Sequence, residues 1–390
     1  MAEAYIVAAT RTAGGRRKGK LADWHPADLA GQVLNDLIKR TGADPALVED
    51  VIMGCVGQAG EQGNNIARGA VLAAGFPESV PATSVDRQCG SSQQALHFAA
   101  QAVMSCTQDI VIAAGVESMT RVPMGTPVIL PAQAGLGSPM SPRQKERYPN
   151  IQFSQFMGAE MVAAKYGLTK DQLDEYSYRS HQKAIAATQG GAFKDEIVGI
   201  EITDAEGNKT LHTVDEGIRF DATMDGIKGV KLLQENGKLT AASSSQICDG
   251  ASGVMVVSEA GLKTLGVDPI ARIHSLTITG GDPVIMLEAP IPATKRALAR
   301  AGMKIEDIDL YEVNEAFASV PVAWLQQIGA DPERLNVNGG AIALGHPLGA
   351  SGTKLMATLI HALKARGKRY GLQTMCEGGG LANVTIIERL

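Results

Sequence analysis

The chain has 390 residues, 45% of them hydrophobic and 20% charged, with 44 glycines, only 4% aromatics and a formal net charge of −5. That length exceeds what one hydrophobic core usually reaches, so two core units, or one core built from two fused halves, are expected within an α/β composition. Net acidity argues against a polyanion-binding scaffold, and the one basic stretch, RTAGGRRKGK, reads as a solvated loop.

The predicted elements alternate. Strand AYIVAATRT opens the chain, followed by a helix from about His25 to Lys39, strand VIMGCV, helix NNIARGAVLAAG, the extended PATSVDRQCG, helix SSQQALHFAAQAVM and strand DIVIAAG. Roughly from residue 118 to 268 this order breaks into a proline- and glycine-rich run, VPMGTPVILPAQAGLGSPMSPRQ, then a helical stretch and a polar region. Such an insertion between sheet-forming halves is expected to cover a substrate. Alternation then resumes: strand ARIHSLTITG, helix PATKRALARAG, strand DLYEVNE, helix AFASVPVAWLQQIG, a glycine-rich loop, helix TKLMATLIHALKARG and strands YGLQTMC and NVTIIERL. Because ALVEDVIMGC precedes the first small-residue helix as KIEDIDLYEVN precedes the second, one α/β fold is expected twice over.

The N-terminal apolar run is too short for a signal-peptide core and no stretch reaches membrane-spanning length, so a cytoplasmic protein without membrane or nucleic-acid partners is expected. Cys55, Cys89, Cys106, Cys248 and Cys376 are odd in number and form no C-x-x-C pair. They read as reduced thiols, and the scattered histidines show no metal-ligand spacing, so no metal is expected.

Cys89 follows an extended segment and precedes a helix whose apolar positions Leu96, Ala99, Ala100 and Val103 recur at helical spacing. A thiol there lies at a helix N-terminus, where the dipole and free amides favour a thiolate and cradle an oxyanion; the alternative is a structural cysteine at a strand end. His346 stands between Gly345 and Pro347 in GGAIALGHPLGASG, a loop that excludes bulk and launches a helix at about Ala350. Dinucleotide binding is the rival reading of those glycines, but they lack G-x-G-x-x-G spacing after a strand and an acidic partner downstream. Cys376 ends a strand ahead of EGGG, and Asn314 closes another, either capping a helix over EAFASV or facing a pocket.

Together VDRQCGSSQQA, NEAF, GGAIALGHPLGASG and CEGGG, in that order over the whole chain, resemble the thiolase family. The resemblance implies a duplicated five-layer αβαβα fold with an inserted cover. Residues 1–268 would form the half carrying Cys89, with the cover at about 118–250, and residues 269–390 the half carrying Asn314, His346 and Cys376. It implies Cys89 as the nucleophile toward a 3-ketoacyl-CoA, His346 as its proton acceptor and Cys376 as the acid and base of the two half-reactions. Two oxyanion sites follow, one from His346 with a water held by Asn314, the other from the amides of Cys89 and Gly378. Both thiols are expected to titrate within reach of neutrality. Coenzyme A is a co-substrate, with no permanently bound cofactor, and Arg219, Ser245, Ala316 and Phe317 are the implied contacts for it. A homodimer or homotetramer is implied as well. Degradative thiolysis to acetyl-CoA and a shortened acyl-CoA is the leading function, a biosynthetic acetoacetyl-CoA thiolase the second, and a non-catalytic acyl-CoA-binding protein or a nicotinamide dehydrogenase the rivals of other classes. Two departures stand out. Phe156 precedes Met157 where short-chain members carry a His-Met-Gly element, and Glu377 follows Cys376 where many relatives have a small or apolar residue, so that either its carboxylate points away or Cys376 has a modified environment.

Overall fold

A computed structural model describes residues 2–204 and 206–390. The first half runs β1 (Tyr5–Thr12), β2 (Gly15–Arg16), α1 (Pro26–Thr41), β3 (Asp50–Gly54), α2 (Ile66–Ala73), β4 (Ala82–Val85), α3 (Ser91–Met104) and β5 (Ile110–Ser118). An excursion follows with α4 (Thr126–Gln133), α5 (Pro142–Arg147), α6 (Gln155–Lys165), α7 (Lys170–Gln189), the short strands β6 (Ile197–Val198), β7 (Ile200–Thr203) and β8 (Lys209–His212), and α8 (Met224–Lys228). The chain then returns as β9 (Cys248–Val257) and α9 (Glu259–Leu265). Its second half comprises β10 (Ala271–Gly280), α10 (Pro290–Ala301), β11 (Leu310–Val313), α11 (Ser319–Ile328), the one-turn α12 (Ala341–Leu344), α13 (Ser351–Ala365), β12 (Tyr370–Glu377) and β13 (Leu381–Arg389).

Local chemistry sets these boundaries. In α1 the His25 side chain accepts from the Ala27 amide, Pro26 occupies the first turn where no amide hydrogen is needed, and Gly42 ends the helix at φ +65°. The central strands are covered on both faces: Val111 and Ala113 of β5 join one core while Ile112 and Ala114 join another.

Spatially the strands run β4-β3-β5-β9-β1 and then β10-β13-β12-β11. β4, β3 and β5 are parallel, whereas β9 is antiparallel to both β5 and β1. The second half repeats the plan, with β11 parallel to β12, β13 antiparallel to β12 and β10, and a parallel bridge from Tyr311 to Leu335 in the place of β4. Where the halves meet, Tyr5 lies opposite Arg272 and Ile6 opposite Ala271.

Three apolar cores separate five layers. α1 and α2 pack Val33, Leu37, Ile66 and Val71 on the outer face of the first half, and α10 and α11 pack Ala293, Ala297 and Trp324 on that of the second. Between the two sheet halves α3 and α13 contribute Leu96, Ala100, Met356 and Leu359 to a core shared with Ile6, Val111, Val254 and Ile387. Both central helices are buried nearly all round, polar residues such as Gln93, His97, Thr353 and Lys354 included. They approach through glycine: a Cβ on Gly352 would lie 2.1 Å from the Gln93 nitrogen, and one on Gly54 2.3 Å from the Ser92 nitrogen. The expected αβαβα fold is thus present.

The insertion is shorter than the stretch of about 118–268 read from the sequence, because Cys248–Val257 is a fully buried strand between β5 and β1. Its CDGASGVMVV sequence is rich in small residues and has no apolar–polar alternation, since both faces are covered. The excursion is tied down at Arg11, whose guanidinium meets Glu196 at 2.6 Å and Asp215 at 2.9 Å with all three side chains buried. Among the described residues no helix is long and apolar enough to cross a membrane.

Gly352→Ala is expected to destabilise the protein by roughly 1–3 kcal/mol through overpacking, lowering the melting temperature measured by calorimetry. Gly280→Ala, whose new Cβ meets nothing nearer than 3.5 Å, serves as control. Equal melting temperatures for both variants and wild type would contradict the close crossing of the central helices.

Candidate active site

Cys89 sits one residue before the N-cap of α3, at the end of a turn held from several sides. Gln88 adopts φ +50°, a left-handed conformation that costs a non-glycine residue free energy. Hydrogen bonds over-determine it: the Gln88 amide donates to Asp86 Oδ1 at 2.7 Å, the Arg87 amide donates to Ser91 Oγ at 2.9 Å, and Ser91 Oγ donates to the Gln88 carbonyl at 2.5 Å. Of the five cysteines only Cys89 is half-buried; Cys55, Cys248 and Cys376 are buried and Cys106 is exposed. The helix N-terminus does not deliver the expected resting thiolate. Burial first, and the Glu377 charge second, push the Cys89 thiol up to about 12. Cys89 therefore needs a proton acceptor.

His346 occupies the bend between α12 and α13. Ser351 Oγ donates to the Pro347 carbonyl at 2.9 Å, so the 2.5 Å contact between His346 Nδ1 and Ser351 Oγ places the imidazole proton on Nδ1. Nε2 is left with a lone pair, 3.4 Å from the Asn314 side-chain nitrogen, which can only donate. Burial, with the Lys354 charge adding to it, lowers the imidazolium to about 3, so the ring is neutral. Lys354 in turn donates to the carbonyls of Leu344 and Gly345 at 2.6 and 3.2 Å, fixing the loop.

Asn314 does not cap a helix. α11 begins only at Ser319, with Ala318 as its N-cap and no side-chain bond. The Asn314 Oδ1 atom is buried and finds no partner in the protein, so it retains an acceptor for a water or substrate group.

Cys376 lies opposite Ala382 on β12 and is fully buried. Its thiol is pushed well above its ordinary value by burial, then by Cys89, then by Glu377, which places the two sulfurs within electrostatic reach of one another. The expectation that both thiols titrate near neutrality is not met, because burial and neighbouring negative charge push both up. Gly378 begins the turn that Gly379 and Gly380 close at φ +84° and +79°. Glu377, the last residue of β12, does not point away: it is fully buried and packs against the Gly90 backbone.

Cys89 and Gly378 line a cavity of about 670 Å³ whose other walls include Met119, Met124, Phe153, Met286 and Leu348. His346, Cys376 and Asn314 do not line it: Cys376 is coupled electrostatically to Cys89, and Asn314 meets His346, two residues before the lining Leu348. The cover residues were not legible in the sequence, where they are scattered apolar positions in an irregular segment. Glu117 was missed as well. It accepts from the amides of Val56, Gly57 and Gly349 at 2.8–2.9 Å and from Gln62 Nε2, joining the end of β5 to the His346 loop.

The four residues implied for coenzyme A lie outside that cavity. The Ser245 amide donates to the Ala316 carbonyl at 2.9 Å, and Phe317 meets Phe156 of α6 edge-on at 5.5 Å, so these three share one strip under the cover. Arg219 is exposed and its backbone amide donates to His181; it reaches the strip only through Gly217, whose carbonyl accepts from Gln246.

Because burial holds Cys89 protonated, its alkylation by iodoacetamide is expected to be still accelerating at about pH 9.5, with no plateau below about pH 7.5. Peptide mapping separates it from the exposed Cys106, and an early plateau would show a thiolate already formed at rest.

The family model described as "Thiolase, N-terminal domain" matches residues 4–260, and "Thiolase, C-terminal domain" matches residues 267–389. The steroid 3-ketoacyl-CoA thiolase FadA6 of Mycobacterium tuberculosis is 50% identical over 392 residues, covering 100% of this chain and 95% of that protein. A 3-ketoacyl-CoA thiolase of Bacillus subtilis is 39% identical over 398 residues, with both chains covered in full. The crystal structure of the Bacillus anthracis acetyl-CoA acetyltransferase superposes with a TM-score of 0.88 at 33% identity, covering 100% of this chain and 99% of that one. With a duplicated αβαβα fold and family matches spanning both halves, the chain belongs to the thiolase family.

Proposed function

We propose that the chain is a 3-ketoacyl-CoA thiolase acting degradatively on acyl groups much bulkier than acetoacetyl, ring-bearing ones included. The observation that carries this reading is the cavity of about 670 Å³ beside Cys89, within the range of drug-sized ligand sites and far beyond what an acetyl group needs. The name of the relative that is 50% identical, a steroid 3-ketoacyl-CoA thiolase, supports it, as does Phe156 in place of a polar cover residue. Relatives named acetyl-CoA acetyltransferase, one of them 40% identical over 395 residues, favour the second reading, condensation of two acetyl-CoA.

In the proposed reaction Cys89 Sγ gives its proton to His346 Nε2 and attacks the keto carbon. Collapse of the tetrahedral adduct breaks the C–C bond, and the departing acetyl-CoA enolate takes a proton from Cys376, leaving an acyl group on Cys89. The Cys376 thiolate then accepts the proton of an incoming coenzyme A, whose sulfur takes the acyl group, and the proton on His346 returns to Cys89. His346 with a water on Asn314, and the amides of Cys89 and Gly378, are the two oxyanion sites; loss of one such donor costs on the order of a hundredfold in rate. Supporting these roles are the neutral imidazole, whose Nε2 lone pair meets only the long contact from Asn314, and the neighbouring sulfurs. The strip of Ser245, Ala316 and Phe317 is the proposed path of the pantetheine, with Arg219 at its outer end. Coenzyme A as co-substrate without a permanently bound cofactor, a homo-oligomer and a cytoplasmic setting belong to the same proposal.

Intact-mass measurement after brief exposure to a panel of 3-ketoacyl-CoA esters without free coenzyme A is expected to show an acyl adduct on Cys89, absent in Cys89→Ala. Turnover should favour medium-chain or ring-bearing esters over acetoacetyl-CoA by about tenfold or more in kcat/KM, the scale that apolar pocket contacts supply. A preference for acetoacetyl-CoA would move the condensation reading to first place. No adduct from any ester, in protein that binds coenzyme A, would make the chain a non-catalytic acyl-CoA-binding protein.

A further inference from the structure

Glu377 is a buried acid that the proposed reaction does not use. Its side chain has no solvent exposure, neither carboxyl oxygen has a partner in good hydrogen-bonding geometry, and the one donor acting on it is the Asn383 backbone amide. It packs so tightly against the chain just after Cys89 that a Cβ on Gly90 would sit 2.0 Å from Glu377 Oε1. A buried carboxylate so weakly compensated is costly, so a group in this position favours its neutral form.

We propose that Glu377 is a positioning residue that tunes the reactive thiol: as a neutral acid it lets Cys89 surrender its proton, and as a carboxylate it sets a second negative charge against the nucleophile and suppresses the reaction at alkaline pH. The proposal rests on the reading of Cys89 as the nucleophile. The proton concerned passes from Cys89 Sγ to His346 Nε2, and no other bond changes.

The charges facing Glu377 agree with this. Burial raises its carboxyl to about 8, against the opposing pull of Arg87 from the turn before α3. Cys376 on its own strand and Cys89 across from it are both pushed up by the Glu377 charge. β13 offers the Asn383 backbone amide, whose pull, smaller than that of Arg87, also favours the carboxylate but does not outweigh burial. Glu117 and Asp86 also act on Cys89, but more weakly than Glu377, and Glu117 is held by three backbone amides and Gln62. The signs are therefore fixed: below about 8 the acid is mainly neutral and Cys89 is easier to deprotonate, whereas above it the carboxylate opposes the thiolate. Coupling is mutual, so a thiolate at Cys89 keeps Glu377 protonated.

The test is the rate of Cys89 alkylation by iodoacetamide in the full-length protein, mapped by peptide from about pH 6 to about pH 10, for wild type, Glu377→Gln and Arg87→Gln. A lone thiol reacts about tenfold faster per pH unit below its pKa. Wild type should follow that slope up to about pH 7.5, flatten into a shoulder near pH 8 and rise again. Glu377→Gln, isosteric with the neutral acid, should climb without a shoulder and exceed wild type by about tenfold or more at pH 9.5, the scale of one unit charge nearby. Arg87→Gln removes the cation that favours the carboxylate, so its shoulder should move to higher pH. In turnover, wild-type kcat/KM should fall above about pH 8 where that of Glu377→Gln holds. A shoulderless wild-type profile, or a Glu377→Gln profile superimposable on wild type, overturns the proposal. Alkylation needs no turnover, so failure to form an acyl adduct would remove the thiolase reading without touching this result.

Discussion

Everything at the centre of this protein depends on two helices being able to touch through their backbones. α3 and α13 fill the space between the sheet halves, and the atoms facing each other at the crossing are the Gly352 Cα and the Gln93 main chain. Gly54 and Gly115 at the ends of β3 and β5 meet Ser92 and Gly349 in the same way. A methyl group at any of these positions pushes the helix N-termini apart, and those termini carry Cys89 on one side and the His346 bend on the other. Close packing of small residues is thus what converts two distant sequence segments into one site.

Around that contact the site is built from polar groups without bulk water, which makes every hydrogen bond directional and every uncompensated charge expensive. Glu117 and Lys354 use backbone groups as partners and so fix loops. Arg11, Glu196 and Asp215 form a fully buried cluster that holds the excursion onto β1; burial pushes the Asp215 carboxyl up, but Arg11 and Lys354 beside it outweigh that and hold it low. Such a cluster adds little net stability over an apolar replacement, yet loss of one member leaves a stranded charge.

Much of this was legible in the sequence, for identifiable reasons. Helical periodicity placed α1, α3 and α13 within two residues, and the four motifs pointed to Cys89, Asn314, His346 and Cys376, which the fold gathers. β9 escaped because a strand covered on both faces has no alternation to read. The helix predicted over AFASVPVAWLQQIG starts three residues late, since Ala316 and Phe317 pair with Ser244 and Ser245 in an extended bridge, and Asn314 turns to His346 instead of capping. A helix N-terminus is visible in sequence but the desolvation around it is not, so the protonated state of Cys89 is legible only in the fold. Glu377 was visible as an oddity, but only the packing shows which way its carboxyl faces. The cavity walls carry no sequence signal, as shape depends on where the cover settles.

The edge-to-edge order of the strands also sets a schedule for synthesis. β1 emerges first, yet Tyr5 pairs with Val257 on one side and Arg272 on the other. Apart from the short β6, which pairs with Arg11 and Thr12 at its end, the opening strand finds no neighbour until about 250 residues have left the ribosome, a wait of tens of seconds at ordinary elongation rates. Until then most of β1 and the far edge of β5 are unpaired apolar strands in a crowded cell, a template for wrong pairing. A nascent chain stalled anywhere in the excursion is a client for chaperones, whereas one that has passed β9 can close its first half.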